Sequence, residues 1–573
     1  MSDEIGLSPV EAVKDKSNYL FGTISEDLAK DTPQFAKENA QLLKFHGTYQ
    51  QDDRETRTST GEGKSLKEIS FMVRSRIPGG KLTAAQLLAH LDLCDEIGNA
   101  TLKITTRQGL QLHGILKSNL RKCIHRINEI HLSTLAACGD VNRNVMCCPA
   151  PYTDPVHTAL QKLADDLAHH LAPRTRAYYE LWVKDPVSGE SVLAGGGDPN
   201  EEVEPIYGKH YLPRKFKTAI GLPEDNCVDI YTNDLGFLAV VRDGQVVGYN
   251  VLVGGGLGVT PANKKTFPAL AKRMAYCTAE QAVAVAEAVV KAQRDHGNRA
   301  DRKTARLKYV IASKGVEWFR EKVEGHLGYK LPDCTPDDVH GFDDHIGWFE
   351  QGDGRWFYGL NVENGRLFDN EDRRWKHAFR DICDKLNPGI RLTAHQSILF
   401  TDLTAEQKPL LESIIGSHGI PLSEDISEVR RWSMACVALP TCSLAITESE
   451  RVLPSVMDQL EKEVARHGLS SERFTVRMTG CPNGCARPYN ADVGLVGKAK
   501  GRYTVYLGGA LLGTRLGTIY KDLVPLEQIT ATLSPLLVAF KKHRLSSSES
   551  FGDFCHRAGK EQLEKWSVEY VSI

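Results

Sequence analysis

The sequence predicts an internally duplicated α/β (α+β) protein with mixed sheets and flanking helices, organised as several domains with pseudo-twofold symmetry. Three observations lead to this fold class. The chain has 573 residues, enough for about three or four domains. Apolar residues recur with strand and helix periods in turn, which is typical of α/β and α+β layers. Two sequence blocks also recur at long range, as a tandem duplication requires.

The elements of the first repeat follow one another as strand, helix, strand pair and helix. Apolar alternation predicts a strand in EISFMVRSRI (68–77), and helical spacing predicts a helix in KLTAAQLLAHLDLCDEIG (81–98). A strand pair is predicted in TLKITTRQGLQLHGI (101–115), and a second helix in LRKCIHRINEIHLSTLAAC (120–138). Residues 1 to about 65 are polar with little to bury, so we expect a mobile arm there.

Two aligned blocks carry the duplication. LKITTRQGLQL returns as IRLTAHQSILF at an offset of 288 residues, which also places Cys148 on Cys436. KFKTAIGLPEDNCVDIYTNDLGF returns as RFTVRMTGCPNGCARPYNADVGL at an offset of 258, which places Cys227 on Cys485. Two copies create a central cleft and allow each half to specialise its facing loops. We expect the second half to hold a redox centre and the first half, richer in Arg and Lys, to bind an anion.

Charge and hydropathy exclude several classes of protein. The 71 Lys and Arg nearly balance 73 Asp and Glu, which predicts no nucleic-acid partner. No segment approaches the ~20 apolar residues of a membrane span, and the N-terminus is polar, so we expect a cytoplasmic protein. The glycine runs AGGGDP and VGGGLG lack the spacing of a dinucleotide-binding loop, so we expect no dinucleotide site in this chain.

Four of the 14 cysteines form two close pairs and need their own explanation. Cys436 and Cys442 have the spacing C-x5-C, and Cys481 and Cys485 the spacing C-x3-C. Four thiolates ligate either a [4Fe-4S] cluster or a tetrahedral zinc ion. These spacings are wider than the usual zinc knuckle, and the Pro, Asn and Gly between Cys481 and Cys485 let the backbone fold around sulfides, which favours the cluster. Four buried structural cysteines are the remaining alternative.

The motifs MACVALPTCSLAITESER and RMTGCPNGCARPYNADVGLVGKAKGRYTVYLGG resemble the siroheme-binding signature of the sulfite and nitrite reductase family. The resemblance extends from about residue 65 to the C-terminus and includes the duplication. It implies a siroheme reductase fold in which a [4Fe-4S] cluster is joined to siroheme through one thiolate. Cys485 would be that axial ligand, whereas Cys436, Cys442 and Cys481 would ligate only the cluster.

The resemblance also implies a domain plan with five parts. These are a mobile N-terminal arm for partner docking (1–65), a first ferredoxin-like half-domain (66–140), a siroheme- and anion-binding domain (141–335), a second ferredoxin-like half-domain (336–410), and a domain for the cluster and siroheme (411–573).

The resemblance implies that four cationic side chains bind sulfite and supply its protons. The resemblance points to Arg74, Arg143, Lys215 and Lys217 as catalytic residues. Lys215 and Lys217 lie two apart on a predicted strand, so both project to one face. Arginine has a planar fork that suits oxyanions, and a lysine among other cations has a lowered pKa and can release a proton. We therefore assign the arginines to binding and the lysines chiefly to proton delivery. Taken singly, each is an ordinary surface charge.

Siroheme carries eight carboxylates, so its pocket should be basic and rich in hydrogen-bond donors. The resemblance places five residues near the macrocycle: Thr105, Arg107, Gln111, His113 and Asn483. Six further candidates are Arg214, Lys264, Lys265, Arg299, Arg302 and Arg306. The alternative for His113 is a core histidine that makes one hydrogen bond.

The implied activity is the six-electron reduction of sulfite to sulfide in sulfur assimilation, with an NADPH-dependent flavoprotein subunit or ferredoxin as the electron donor. Two alternatives stay open. One is reduction of nitrite to ammonia by the same cofactors, and the other is a non-catalytic metal-binding scaffold. The double lysine in RKFK favours sulfite, the bulkier and more highly charged anion. Cys148, aligned with a cluster ligand, is interpreted as the vestige of a lost second site.

Overall fold

The computed structural model describes residues 6–59, 65–184, 188–196 and 204–570. The helices are α1 (Pro9–Lys16), α2 (Ile24–Ala29), α3 (Lys37–Leu42), α4 (Ala84–Glu96), α5 (Leu120–Glu129), α6 (Pro155–His170), α7 (Ala282–His296), α8 (Leu307–Lys314), α9 (Val316–Leu327), α10 (Trp375–Leu386), α11 (Lys408–Ser417), α12 (Glu428–Arg431), α13 (Leu453–Arg466), α14 (Ile529–His543) and α15 (Phe551–Glu569).

The strands belong to four five-stranded sheets and two short hairpins. They are β1 (Thr48–Asp52), β2 (Thr58–Ser59), β3 (Ser65–Leu66), β4 (Ile69–Arg74), β5 (Lys81–Thr83), β6 (Leu102–Ile104), β7 (Leu110–Ile115), β8 (Asn142–Met146), β9 (Glu180–Lys184), β10 (Ser191–Gly196), β11 (Phe216–Gly221), β12 (Leu235–Arg242), β13 (Gln245–Val253), β14 (Lys272–Thr278), β15 (Gly347–Glu350), β16 (Trp356–Leu360), β17 (Arg366–Leu367), β18 (Gly389–Leu392), β19 (Ile398–Leu403), β20 (Ser433–Ala435), β21 (Val476–Thr479), β22 (Val493–Ala499), β23 (Arg502–Leu507) and β24 (Thr518–Pro525).

Two mixed sheets repeat the same topology and confirm the predicted duplication and fold class. One has the order β8-β11-β12-β13-β14 and the other the order β20-β21-β22-β23-β24. In both, the first three strands are parallel and the last two pair antiparallel. The same buried contact recurs in each: Asp234 accepts the backbone N–H of Lys217 at 3.0 Å, and Asp492 accepts that of Thr475 at 2.8 Å.

Two antiparallel sheets, of order β1-β4-β7-β6-β17 and β15-β16-β19-β18-β5, form the other duplicated pair. Each repeat gives one strand to the other's sheet. Leu82 of β5 pairs with Ile390 of β18, and Arg366 of β17 pairs with Lys103 of β6. Helices α4 and α10 pack in one hydrophobic core with apolar residues from both sheets. The two half-domains are therefore one structural unit with exchanged strands.

The four elements predicted in the first repeat are present, with two changes in length. The predicted helix over 81–98 begins later, because Lys81–Thr83 forms β5 and Thr83 then caps α4 through a reciprocal pair of hydrogen bonds with Gln86. The predicted helix over 120–138 ends at Glu129. The turn between the paired strands is the same in both repeats. The Thr105 hydroxyl accepts the backbone N–H of Gly109 at 3.1 Å, and the Thr393 hydroxyl accepts that of Ser397 at 3.0 Å.

The N-terminal segment differs from the mobile arm expected at 1–65. Helices α1 to α3 and strand β1 are folded onto the body, and β1 pairs with β4. Lys14 is fully buried, where it donates to Glu11 and to the carbonyl of Leu212 at 2.9 Å. The polar composition was misleading because these charges pair inside the protein. Residues 1–5 and 60–64 of the predicted arm lie outside the described residues.

None of the helices in the described part of the chain is long and apolar enough to cross a membrane.

Candidate cofactor and anion site

A basic cleft lies between the two repeats, where the turn after β6, the start of β11 and the loop after β21 meet. We call it the central cleft. Its lining residues are Thr106, Arg107, Met146, Lys215, Lys217, Thr232, Leu257, Gly258, Arg306, Asn483, Gly484, Cys485 and Arg487. Five of these side chains are cationic and none is acidic. The cleft therefore suits an anion.

The four paired cysteines come together at one end of the central cleft. Burial raises the pKa of Cys436 well above its ordinary value, and the neighbouring thiols of Cys485, Cys481 and Cys442 raise it further. Burial, followed by the charge of Cys485, raises the pKa of Cys481 to about 12. Cys485 is the exposed member of the set and lines the cleft. Metal binding must displace the thiol protons, since the thiolate is the ligand.

Spacing of the four sulfur atoms decides between zinc and a cluster. A tetrahedral zinc with Zn–S bonds of about 2.3 Å holds its sulfurs about 3.8 Å apart. Within the described part of the chain, only one group of three or more His, Cys, Asp or Glu side chains brings its ligand atoms within 4.8 Å of one another, and these four cysteines are not in it. The wider arrangement fits ligands on the separate corners of an iron–sulfur cube.

The two cysteine loops approach closely because glycine lies between them. A Cβ on Gly480 would lie 2.4 Å from the carbonyl oxygen of Thr447 and 2.5 Å from the Cβ of Ala438. The N–H of Gly480 donates to the sulfur of Cys436 at 3.4 Å, and Asn483 donates to the sulfur of Cys481 at 3.6 Å. Hydrogen bonds to cysteine sulfur are one of the means by which proteins set the potential of such clusters.

The two lysines of the central cleft have no acidic partner among the described residues. Burial, together with the charges of Arg214, Arg143 and Arg306, lowers the pKa of Lys215 to about 7. Burial and the charges of Arg107 and Lys215 hold the pKa of Lys217 well below its ordinary value. Neither ammonium group donates a hydrogen bond to a protein group in the described ranges. A bound anion would satisfy both lysines and raise their pKa values.

Arg107 and Arg306 are held in place at the wall of the cleft. Arg107 donates to Asn233 at 2.8 Å and to the carbonyl of Asn144 at 2.7 Å, while its buried Nε has no partner. Arg306 donates to both carboxylate oxygens of Asp234, at 3.2 and 2.6 Å. A Cβ on Gly256 would lie 2.5 Å from the Arg306 guanidinium, so the glycine of the VGGGLG run makes room for Arg306 at the wall of the cleft. The donor set thus fits a polycarboxylate macrocycle with a thiolate axial ligand.

Family models match most of the chain. The nitrite and sulphite reductase 4Fe-4S domain matches residues 138–331 and 428–573, and the nitrite/sulfite reductase ferredoxin-like half domain matches 66–130 and 349–418. The chain belongs to the nitrite/sulfite reductase family. The predicted cofactor pair, siroheme and a [4Fe-4S] cluster, agrees with this membership and with the donors in the cleft. Cys485 as the axial ligand of siroheme stays a prediction.

Relatives of similar length support the same assignment. The sulfite reductase [NADPH] hemoprotein beta-components of Geobacillus thermodenitrificans and Staphylococcus saprophyticus are 44% and 45% identical to the chain, each covering 96% of both chains. The corresponding protein of Myxococcus xanthus is 45% identical over 96% of this chain and 97% of its own. The solved structure of the Mycobacterium tuberculosis NirA protein matches with a TM-score of 0.77 and 25% identity, covering 97% of each chain.

Among the site residues predicted from the sequence, six line the central cleft of this reductase: Arg107, Lys215, Lys217, Arg306, Asn483 and Cys485. Cys436, Cys442 and Cys481 do not line the cleft, but each is near enough to Cys485 for the charge of Cys485 to raise its pKa, after the larger effect of burial. Arg74 and Arg143 lie outside the lining, on β4 and β8. Arg74 donates to the sulfur of Cys138 at 3.0 Å, and Arg143 donates to the carbonyl of Gly139 and to the Tyr49 hydroxyl. Their catalytic roles stay predictions.

Four other predicted siroheme contacts also lie outside the lining. Thr105 closes the turn that carries Arg107, because its hydroxyl accepts the N–H groups of Arg107 and Gly109. Gln111 and His113 are buried on β7, and both ring nitrogens of His113 lack a protein partner. Burial, then the charge of Arg302, lowers the pKa of Arg214 to about 10.

The remaining candidates have other surroundings. Both Nη atoms of Arg302 donate to the carboxylate of Asp140, at 2.6 and 2.8 Å. Arg299 is paired with Glu11 at 2.6 Å and thereby ties down the N-terminal segment. Lys264 and Lys265 are exposed on the loop after β13. The structure therefore gives Arg299 and Arg302 structural partners, and it does not bring any of these four residues to the cleft lining.

Sequence reasoning missed Arg487 and its counter-ion. Arg487 lines the cleft two residues after Cys485 and pairs at 2.5 Å with the fully buried Asp229. Asp229 also accepts from Arg477 at 2.8 Å and from Asn490 at 3.1 Å. Asp229 aligns with Arg487 at the 258-residue offset, so opposite charges occupy equivalent positions and meet across the repeats. That alignment was the signal available in the sequence.

Replacing Asp229 with alanine is expected to destabilise the protein by about 3–5 kcal/mol, because two buried guanidinium groups lose their carboxylate. The charges of Arg477 and Arg487 overcome the effect of burial and lower the pKa of Asp229. Since unfolding of a large cofactor protein is commonly irreversible, the measurement is the thermal unfolding midpoint at fixed scan rate, compared with wild type.

Asp337→Ala is the matched control for this prediction. Asp337 pairs with Arg242 at 2.8 Å, and the two side chains are 23% and 49% exposed, so the change should cost no more than about 1 kcal/mol. Equal shifts in the two variants would contradict a special role for the ion pair between the repeats.

Proposed function

We propose that this protein reduces sulfite to sulfide at a siroheme that shares the Cys485 thiolate with a [4Fe-4S] cluster. The observation that carries the proposal is the position of Lys215 and Lys217. Both ammonium groups lie in the same cleft as the exposed Cys485 sulfur, and neither has an acidic partner there. An oxyanion that enters this cleft meets fixed positive charge beside the sulfur that would ligate the macrocycle iron.

When bound, the cluster and siroheme would carry electrons from the external donor and would supply the iron that takes the substrate. Cys436, Cys442, Cys481 and Cys485 would hold the cluster. Arg107, Arg306 and Asn483 line the cleft where the macrocycle carboxylates need donors. Arg487 completes this wall and is itself fixed by Asp229. The protein contributes charge, orientation and hydrogen-bond donors, as in other cofactor enzymes.

Lys215 and Lys217 are positioned to bind the anion and to move protons. Sulfite must accept six electrons and six protons to give sulfide and three waters. A pKa of about 7 allows Lys215 to be reprotonated near neutral pH after each donation. Burial and the charges of Arg107 and Lys215 lower the pKa of Lys217. A bound anion raises that pKa again and restores the ammonium form, which can then donate a proton to the anion that it contacts. Arg74 and Arg143 are proposed as supporting cations at the edge of this site.

Sulfite is preferred over nitrite because paired lysines suit the more highly charged anion, and because the related proteins cited above are named sulfite reductases. We expect kcat/KM with a chemical reductant to be at least about tenfold higher for sulfite than for nitrite. Iron, acid-labile sulfide and tetrapyrrole should be measured in the same preparation. A preference for nitrite would make the protein a nitrite reductase, and a colourless, iron-free preparation would favour the scaffold alternative.

Electrons are proposed to come from a separate NADPH-dependent flavoprotein. The names of the relatives include NADPH. In this chain the VGGGLG run packs at the cleft and against Arg306, which leaves it no role as a nucleotide-binding loop and favours a separate NADPH-binding protein. Part of the AGGGDP run lies outside the described residues. Ferredoxin is the alternative donor, and turnover with NADPH plus flavoprotein against turnover with reduced ferredoxin distinguishes the two. The cytoplasmic location stays a prediction.

A further inference from the structure

A second group of metal-ligating side chains lies in the first repeat, away from the four cluster cysteines. It consists of Cys148, Asp225, Cys227 and His345, and we call it the Cys-Asp-Cys-His group. Their ligand atoms all lie within 4.8 Å of one another, and all four residues are buried. It is the only such group within the described ranges, and no part of the proposed reaction uses it.

Three segments far apart in the sequence build the group. Cys148 follows the end of β8, Asp225 and Cys227 lie in the loop after β11, and His345 lies in the connection between α9 and β15. The sulfur of Cys148 is 2.9 Å from Oδ2 of Asp225 and 3.4 Å from Nε2 of His345, and these last two atoms are 3.0 Å apart.

These distances are close to those of a metal site. In tetrahedral zinc with bonds of about 2.0–2.3 Å, sulfur lies about 3.5 Å from a nitrogen or oxygen ligand, and nitrogen lies about 3.3 Å from oxygen. The three observed separations are 2.9, 3.4 and 3.0 Å, so the donors need to spread by between about 0.1 and about 0.6 Å to reach this geometry. Two sulfurs with one nitrogen and one oxygen form a donor set that zinc favours.

The carboxylate of Asp225 is oriented as a metal ligand requires. Its Oδ1 accepts the backbone N–H groups of Cys227 and Asp343, both at 3.1 Å. Its Oδ2 is thereby directed toward the Cys148 sulfur and the His345 ring. The backbone of His345 is held as well, because its N–H donates to Asp343 at 2.9 Å, while its buried Nδ1 has no partner among the described residues. Such outer contacts hold metal ligands in position.

The duplication explains where the group comes from and excludes a second iron–sulfur cube. Cys148 aligns with the cluster ligand Cys436, and Cys227 aligns with Cys485. Asp154 occupies the position equivalent to Cys442 and Pro223 the position equivalent to Cys481, so two of the four thiolates are absent. Asp225 and His345 supply oxygen and nitrogen beside the two thiols that are left, which converts a cluster position into a site for one ion.

We propose that Cys148, Asp225, Cys227 and His345 bind one structural zinc ion. Two thiolates, one carboxylate and a neutral imidazole around Zn²⁺ give a closed four-coordinate site with no position left for substrate. Both thiol protons leave to solvent as the ion binds, and no electrons are transferred. The ion would fasten the connection that carries His345 to the first mixed sheet. Because the group is buried, zinc would enter during folding.

The test is element analysis and anomalous diffraction on the holoenzyme. We expect about one zinc per chain in addition to the cofactor iron, and an anomalous peak at the group above the zinc absorption edge that disappears below it. The diffraction measurement needs no variant and does not depend on activity. A holoenzyme with full iron but no zinc, even after expression with added Zn²⁺, would overturn the proposal. A peak that persists below the zinc edge would also overturn it.

Variants locate the ion independently. Cys227→Ser and His345→Gln should each lower the zinc content at least tenfold while the iron content stays at the wild-type value. Cys277→Ser is the matched control, since Cys277 is a buried cysteine of the same repeat outside the group. Retention of wild-type zinc in both Cys227→Ser and His345→Gln would place the metal elsewhere and refute the site.

Discussion

Lys217→Met is expected to lower kcat for sulfite by about 10²–10⁴-fold while the iron and tetrapyrrole content stays unchanged. Methionine has nearly the length of lysine but carries no charge and no proton. Lys217 lines the central cleft and makes no ion pair there, so its loss removes a proton donor without exposing a buried carboxylate. The measurement is steady-state sulfite reduction with a chemical reductant, which bypasses the protein donor.

Lys217→Arg separates the two roles proposed for this residue. Arginine keeps the positive charge, but its pKa is too high for proton transfer near neutral pH. We expect KM for sulfite to remain within about threefold of wild type and kcat to fall, because a group that acts only in the chemical step affects kcat. A rise in KM with normal kcat would assign Lys217 to anion binding alone.

Lys272→Met is the control for removal of a lysine. Lys272 is exposed at the start of β14, outside the central cleft, and the variant should turn over like wild type. Turnover of Lys217→Met close to that of wild type would remove Lys217 from the mechanism.

Much of the fold could be predicted because the relevant signals are local or repeated. Strand and helix periods identified β4, α4, β6, β7 and α5, and the aligned blocks identified both the turn at Thr105 and its counterpart at Thr393. The exchange of β5 and β17 had no such signal. Strands of three and two residues are too short to show a period, and their pairing depends on contacts with the other repeat.

The N-terminal segment shows a different limit of sequence reasoning. Its composition predicts a solvated arm, yet Lys14 and Glu11 are buried as an ion pair, and Arg299 donates to Glu11 from a distant part of the chain. The identity of a charged residue does not show whether its side chain forms an ion pair in the interior or is exposed to solvent. Only the packing of α1 against the first repeat distinguishes them, so a deletion of this segment would disturb folding as well as any docking.

The residues of the candidate site likewise divide into those that the sequence identified and those that it did not. Motif spacing located the four cysteines, and the resemblance to the reductase family pointed to Lys215 and Lys217, whose spacing of two residues places both on one face of a strand. Arg302 could not be excluded, because its partner Asp140 is remote in sequence. Of the Cys-Asp-Cys-His group, the sequence singles out only Cys148, interpreted as the vestige of a lost second site, because His345 lies outside the duplicated blocks and contributes no spacing to a motif.

Cys485→Ser is expected to lower sulfite turnover by more than about 10³-fold, whatever the electron donor. Cys485 would be the single sulfur shared by the two cofactors, and a serine hydroxyl is a hard, protonated group that replaces a soft thiolate poorly. The loss should be visible without an activity assay, because the absorption bands of the bound tetrapyrrole and the iron content should both change. The measurement is the absorption spectrum with iron and labile sulfide per chain.

Comparison with two other cysteine variants makes the result specific. Cys334→Ser replaces a half-buried cysteine outside both metal-ligating groups and should keep the wild-type spectrum and turnover. Cys442→Ser should reduce the iron and labile sulfide of the cluster, because Cys442 would hold the cluster alone. If Cys485→Ser kept a wild-type spectrum and turnover while Cys442→Ser lost them, the bridging ligand would be another residue, and the exposure of Cys485 at the cleft would need a different explanation.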